Sequence, residues 1–276
     1  MLEPFQLLFV QRALVELLLL ALLAGTLGCW IVLRGLAFPA HGAASAAFPG
    51  LVLADGLGFA APLGGFGAAL LFALAVGGLA ARDRARRESH DTLTALVLVG
   101  ALALGIALAS DVFHTAAAVD SLLFGSLLAI GPGDVRLAAA TALLALLATR
   151  LLGARWLASG FDPGAARALG VRSPLPDALL LALVALGAVA TLTAVGALLV
   201  SALLVVPAAT TRLLTDRLRS WQLATIALAA AEGTLGIWLA VELNAPPGAT
   251  IAVVTGAAFA LVATVLAIAP RLGRPA

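Results

Sequence analysis

Lysine is absent from this 276-residue chain, and all 16 of its Lys-plus-Arg positions are arginine. A phosphate-binding P-loop needs its lysine to reach the β- and γ-phosphates, so an ordinary Walker ATPase site is excluded from this polypeptide. Cysteine occurs once, at Cys29, which rules out an internal disulfide framework and reads as a small packing residue beside Gly28. Histidine occurs three times, at His41, His90 and His114. No Cys/His group has zinc-site spacing, and neither a Ser-His-Asp set nor an HExxH run is present, so the chain reads as a non-enzyme. Charge is scarce too, at 11% of residues against 63% hydrophobic. A soluble domain does not hide that much apolar surface.

What is present is a series of apolar blocks long enough to cross a bilayer, with the arginines confined to the gaps. The expected fold is all-α, one polytopic transmembrane bundle over residues 1–276. Arginine is enriched on the cytoplasmic side of membrane proteins. Arg82, Arg84, Arg86 and Arg87 form the densest cluster, Arg150, Arg155, Arg167 and Arg172 a second, and Arg212, Arg217 and Arg219 a third. Arg271 and Arg274 place the C-terminus inside, whereas 55–66, 110–120 and 244–249 lack arginine and read as outward loops. Spans are expected at 8–33, 42–55, 63–81, 92–110, 135–152, 175–194, 196–210, 221–242 and 250–269. An odd number of spans puts the N-terminus outside. Glu3 stands where a basic leader would be expected, so no cleavable signal peptide is read.

Two of these spans are short. At 1.5 Å per residue, 42–55 and 196–210 reach only about 20 Å of an apolar layer about 30 Å thick. Each carries proline and glycine near an end (Pro39, Pro49 and Pro207; Gly42, Gly50 and Gly196). Short or broken helices persist in a membrane where protein or a wet cavity surrounds them, and transporter sites are often built from such pieces. A plain proline kink satisfied by its neighbours is the other reading.

Ionisable groups at membrane depth are costly and so informative. Glu232 is the clearest: a ligand or gating group on a pathway, or else a carboxyl held by a neighbouring helix. Glu16 lies one turn from Arg12, and an i,i+4 surface or interfacial pair explains it. Glu242 falls at a span end, in water. His41 and Ser45 share one helical face four positions apart. Imidazole is a good ligand for zinc-like ions and a hydroxyl a poor one. His90 and His114 read as solvated loop residues. The stretch Phe161–Val171 differs in kind, since Asp162 can N-cap a short helix beginning at Pro163 and closing at Gly170. A short helix standing clear of the membrane is something a partner can grip, although a simple connector remains the alternative.

These pieces in their order resemble the integral membrane permeases of ATP-binding-cassette importers for manganese, zinc and iron. The resemblance runs through Gln11-Arg12-Ala13, Val32-Leu33-Arg34-Gly35-Leu36-Ala37-Phe38, Phe48-Pro49-Gly50, Asp91-Thr92 with Ala103-Leu104-Gly105, and Leu123-Phe124-Gly125-Ser126. It continues through Phe161–Val171, Val195–Thr210 and Leu243–Ala249. It implies a permease of the metal and vitamin B12 importer type that dimerises with a second copy of itself in the bacterial inner membrane. It also implies separate ATPase subunits, an extracytoplasmic metal-binding protein, and a coupling segment over about 153–173 that includes Asp162, Ala166, Leu169 and Gly170. Gly196 and Pro207 would belong to a broken helix lining the pathway. A divalent metal would be cargo rather than a resident cofactor, touched transiently by His41, Ser45 and Glu232. The chain departs from the usual Gly-Asp-Ala-Leu-(Ser/Ala)-His run of that family: it reads Ala40-His41-Gly42-Ala43-Ala44-Ser45, and Asn244 stands where Asp is usual. Fewer carboxylates and a retained imidazole tilt the expected cargo from manganese toward zinc. An ion-coupled secondary transporter of a small solute is the alternative reading.

Overall fold

The computed structural model describes residues 8–82, 87–113, 124–126, 130–161, 175–196 and 200–272. Every regular element among these described residues is a helix. α1 covers Leu8–Leu33, with a π-helical turn at Ala24–Gly28. α2 is Ala37–Leu57, α3 Ala61–Arg82, and α4 Arg87–Ala107 with a π-helical continuation Leu108–Val112. α5 is Pro132–Phe161 and α6 Leu175–Val195. Two short helices follow, α7 Val200–Leu204 and α8 Val206–Arg212, and then α9 Leu218–Leu243 and α10 Pro247–Leu272. Among the described residues, six helices are by length and composition long and apolar enough to cross a membrane, and three shorter apolar stretches lie on α3, α6 and the α7–α8 pair. These match the nine expected spans in order.

The bundle has a protein-facing centre and a lipid-facing rim. Of the apolar windows on α1 and α2, 72% is buried inside the protein, against 11% on α4 and α10. Exposed leucines and valines such as Leu96, Val99, Val253 and Leu261 on the rim helices are what hydrocarbon solvates, not a defect of packing. The main core runs along α1 through Leu17, Leu20, Leu27 and Trp30, and gathers Trp156 from α5, Leu180 from α6 and Leu203 from α7.

Small residues bring backbones together where the centre is tightest. α2 and α3 form a hairpin, and a Cβ on either Gly50 or Gly64 would meet the other's carbonyl oxygen. Such contact needs glycine, because in lipid helices associate through close packing rather than through a hydrophobic force. The hairpin closes at Gly58, which adopts φ +74°, while Phe59 N–H donates to the Ala54 carbonyl at 3.0 Å. Most buried threonine hydroxyls are satisfied within their own helix. Thr191 donates to the Gly187 carbonyl at 3.0 Å, and Thr210 to that of Val206 at 2.8 Å.

Four expectations change. The span placed at 42–55 is not short: α2 runs over 21 residues, about 30 Å, with Pro49 inside it. Proline survives there because neighbouring helices enclose the turn it disrupts. The span placed at 135–152 extends to Phe161, so residues 153–161 of the expected 153–173 segment are helix, with Trp156 fully buried. The loop placed at 55–66 contracts to the three residues between α2 and α3. Glu16 is not a surface partner of Arg12: it is fully buried, and its carboxylate has no hydrogen-bond partner among the described residues. Asp162, Ala166, Leu169, Gly170 and His114 lie outside the described residues.

Candidate functional site

The site is built where α2 meets the interrupted segment α7–α8. Gly196 ends α6 in a left-handed conformation, φ +86°, and its N–H donates to the Leu192 carbonyl at 2.7 Å. Glycine is needed there because a Cβ disfavours that backbone region. The chain breaks again at Val205, and Pro207 occupies the first turn of α8, where its missing N–H costs nothing. Two helices of five and seven residues therefore stand where one span was expected, and the broken-helix reading of Gly196 and Pro207 acquires a concrete geometry.

α8 is anchored, whereas α7 faces the site. Trp221 of α9 donates its indole N–H to the Ala208 carbonyl at 2.8 Å, and the hydroxyls of Thr211 and Thr225 lie 2.7 Å apart. The Arg212 guanidinium sits 5.2 Å from the Trp221 ring centroid, an attractive cation–π arrangement. Cys29 packs into this cluster with Ala208 and Trp221, the structural role expected for it. α7 instead presents Ser201 to α2, with its Oγ 3.4 Å from His41 Nδ1.

On α2, His41 is half-buried and Ser45 fully buried, one turn apart on a shared face. Ser45 Oγ has no hydrogen-bond partner among the described residues, which is uncommon for a buried hydroxyl. Pro49 adds to this, since it brings no N–H to the Ser45 carbonyl four positions earlier. An imidazole and a hydroxyl therefore meet beside a broken helix, and one turn along α2 stand a second hydroxyl and a carbonyl short of its helical donor. Such groups can hold a small cation transiently without trapping it.

Glu232 stands apart from this group. It lies on α9, which packs against α1, α8 and α10, and its neighbour Gly233 is pressed against Leu17. Both carboxylate oxygens are buried without a hydrogen-bond partner among the described residues. Among those residues no three His, Cys, Asp or Glu side chains come together. The structure thus sets His41 beside Ser201, with Ser45 one turn further along α2, while Glu232 lies on a different helix, α9. Asn244 has a plain structural role, capping α9 at φ +49°, with Ala245 N–H donating to the Ala240 carbonyl at 3.0 Å. Asn is among the few residues that adopt this conformation readily. Glu242 is exposed at the end of the same helix, as expected. Sequence reasoning missed Ser201, and the available signal was a hydroxyl in the middle of the interrupted apolar stretch 196–210, whose other hydroxyl, Thr210, stands at its end.

The profile described as "ABC-3: ABC 3 transport family" matches residues 6–267. The manganese transport system membrane protein MntC of Halalkalibacterium halodurans is 33% identical over 257 residues, covering 92% of this chain and 86% of that protein. A probable iron transport system membrane protein of Haemophilus influenzae is 29% identical, covering 95% of each. Among solved structures, PsaBC from Streptococcus pneumoniae in complex with Fab superimposes with a TM-score of 0.82 at 27% identity, covering 93% of this chain and 91% of that one.

Proposed function

We propose, because this chain belongs to the ABC 3 transport family, that it is the permease subunit of an ATP-driven importer carrying a divalent metal ion across a bacterial cytoplasmic membrane. The observation that carries the reading is the broken α7–α8 segment set against His41, with Ser45 one turn further along α2. The names of relatives point to manganese and iron. Within that class zinc is the cargo we favour, since nitrogen ligands suit zinc and the site has an imidazole where a carboxylate is usual in the resembling family. A second copy of the chain, two ATPase subunits and an extracytoplasmic metal-binding protein complete the machine.

Energy must come from a partner, because without lysine this chain has no P-loop of its own. In proteoliposomes, metal uptake is expected only when the ATPase and ATP are supplied. Replacing Ala166 and Gly170 by leucine should then remove uptake and weaken ATPase co-purification. Overpacking a docked surface costs about 1–3 kcal/mol, and each 1.4 kcal/mol is roughly tenfold in occupancy. Uptake by the permease alone under a proton gradient would instead favour a secondary carrier.

The arginine distribution supports an N-terminus outside and a C-terminus inside. A cysteine introduced at Ser89, in a Cys29→Ala background, should resist impermeant thiol reagents applied to intact cells. Ready labelling from outside would reverse the orientation.

A further inference from the structure

The end of α1 carries a polar network that the site at His41 does not use. Arg34 forms an ion pair with Asp177 at 3.0 Å through its second guanidinium nitrogen. Its first donates to the Trp156 carbonyl at 3.1 Å and to Ser159 Oγ at 2.6 Å. Ser159 Oγ also lies 3.2 Å from Asp177 Oδ1, which closes the ring. Arg34 is only 16% exposed, so its charge is well withdrawn from water. The site is sculpted around it: a Cβ on Gly160 would stand 2.9 Å from Arg34 Cδ.

Tryptophans reinforce the same junction. Trp156 donates its indole N–H to the Pro176 carbonyl at 2.7 Å, and Trp30 donates to Thr149 Oγ1 at 3.1 Å. The two rings meet edge to face with centroids 5.4 Å apart. Each contact joins two of three elements: the end of α1, the last turns of α5, and the first turn of α6. The chain between α5 and α6 is the stretch that carries Asp162, Ala166, Leu169 and Gly170. Both of its ends are therefore fastened to α1. Further along α1, Gly28 lies against the Leu204 carbonyl of α7.

We infer that Arg34 is a positioning residue for energy coupling: its fork fastens both ends of the 162–174 stretch to α1, so that displacement of that stretch is passed through α1 to the broken helix. The inference rests on the permease reading, in which an ATPase subunit grips that stretch. The geometry favours arginine specifically. One planar fork serves a carboxylate with one nitrogen while holding a carbonyl and a hydroxyl with the other, which a single ammonium cannot reproduce.

The test measures ATP hydrolysis and zinc and manganese uptake in the same proteoliposomes, using the permease assembled with its own ATPase and binding protein. Arg34→Ala is expected to leave ATPase co-purification and hydrolysis in place while uptake per ATP falls at least about fivefold, the lower range of coupling between sites. A merely structural role would lower hydrolysis and uptake together and leave their ratio unchanged. Arg34→Lys should recover little of the ratio. Should Arg34→Ala fail to fold, Asp177→Asn and Ser159→Ala test the same network from its partners. Each should lower the ratio, and their combination should cost less than the product of the two, because they share one clamp. An unchanged ratio in these variants overturns the inference and leaves the permease reading intact. A wild-type assembly that transports without ATP removes both.

Discussion

A Gly28→Ala permease is expected to lose at least about tenfold in metal uptake although the change adds one methyl group. The added Cβ would collide with the Leu204 carbonyl, and a carbonyl in the backbone of α7 has no rotamer by which to move aside. Leu203 and Leu204 are themselves buried, so relief requires shifting α7 as a body. Overpacking of this kind costs about 1–3 kcal/mol. The π-helical turn in α1 spans Ala24–Gly28, so the backbone most altered from regular helix is the part that meets α7. Turns of this type occur often at functional sites. A shift of α7 carries Ser201 away from His41, which ties the packing change to transport. Uptake per folded permease, together with the melting temperature in detergent, measures both consequences. Gly67→Ala is the matched control, because a Cβ there meets nothing within 4 Å. Equal behaviour of the two variants would show that the α1–α7 contact does not govern transport.

His41→Ala should reduce zinc uptake by about tenfold or more, on the scale seen when a metal site loses a supporting group. The imidazole is the strongest nitrogen donor in the site, and Ser45, Ser201 and a carbonyl are all oxygen groups of lower affinity for zinc. The sharper experiment exchanges ligands. The double substitution His41→Asp with Ser45→His restores the usual order of the resembling family and should raise manganese uptake relative to zinc, since carboxylates suit the harder ion. Helical spacing makes the exchange feasible, because positions 41 and 45 share a face of α2. Competition among zinc, manganese and iron in cells expressing the whole importer reads the change. Undiminished zinc uptake in His41→Ala would take His41 off the path.

Where sequence reading erred, it erred for one physical reason. Pro49 and its flanking glycines suggested a truncated span, yet α2 continues through them because Gly50 packs against the Gly64 backbone and α3 encloses the turn. Glu16 and Arg12 have the spacing of a surface pair, yet the face of α1 that bears Glu16 turns inward to the bundle. Residues 153–161 look like the start of a loop because Arg155 ends the apolar run, yet Trp156 is drawn into the core and prolongs α5. In each case local composition was outweighed by which neighbour lay alongside. The interrupted span at 196–210 was legible because glycine and proline act on the backbone itself, whatever surrounds them.

Composition and order alone determined that this chain is a multi-span helical membrane protein without the lysine of a Walker P-loop, because hydrocarbon solvation and the chemistry of a P-loop depend on residue type and not on arrangement. Tertiary structure decided which polar groups meet. It placed Ser201 beside His41, set Glu232 apart, and joined Arg34 to Ser159 and Asp177 across more than 120 positions of sequence. Contacts between helices depend on how each one is rotated about its axis. That rotation is fixed jointly by all the neighbours and is written in no single segment.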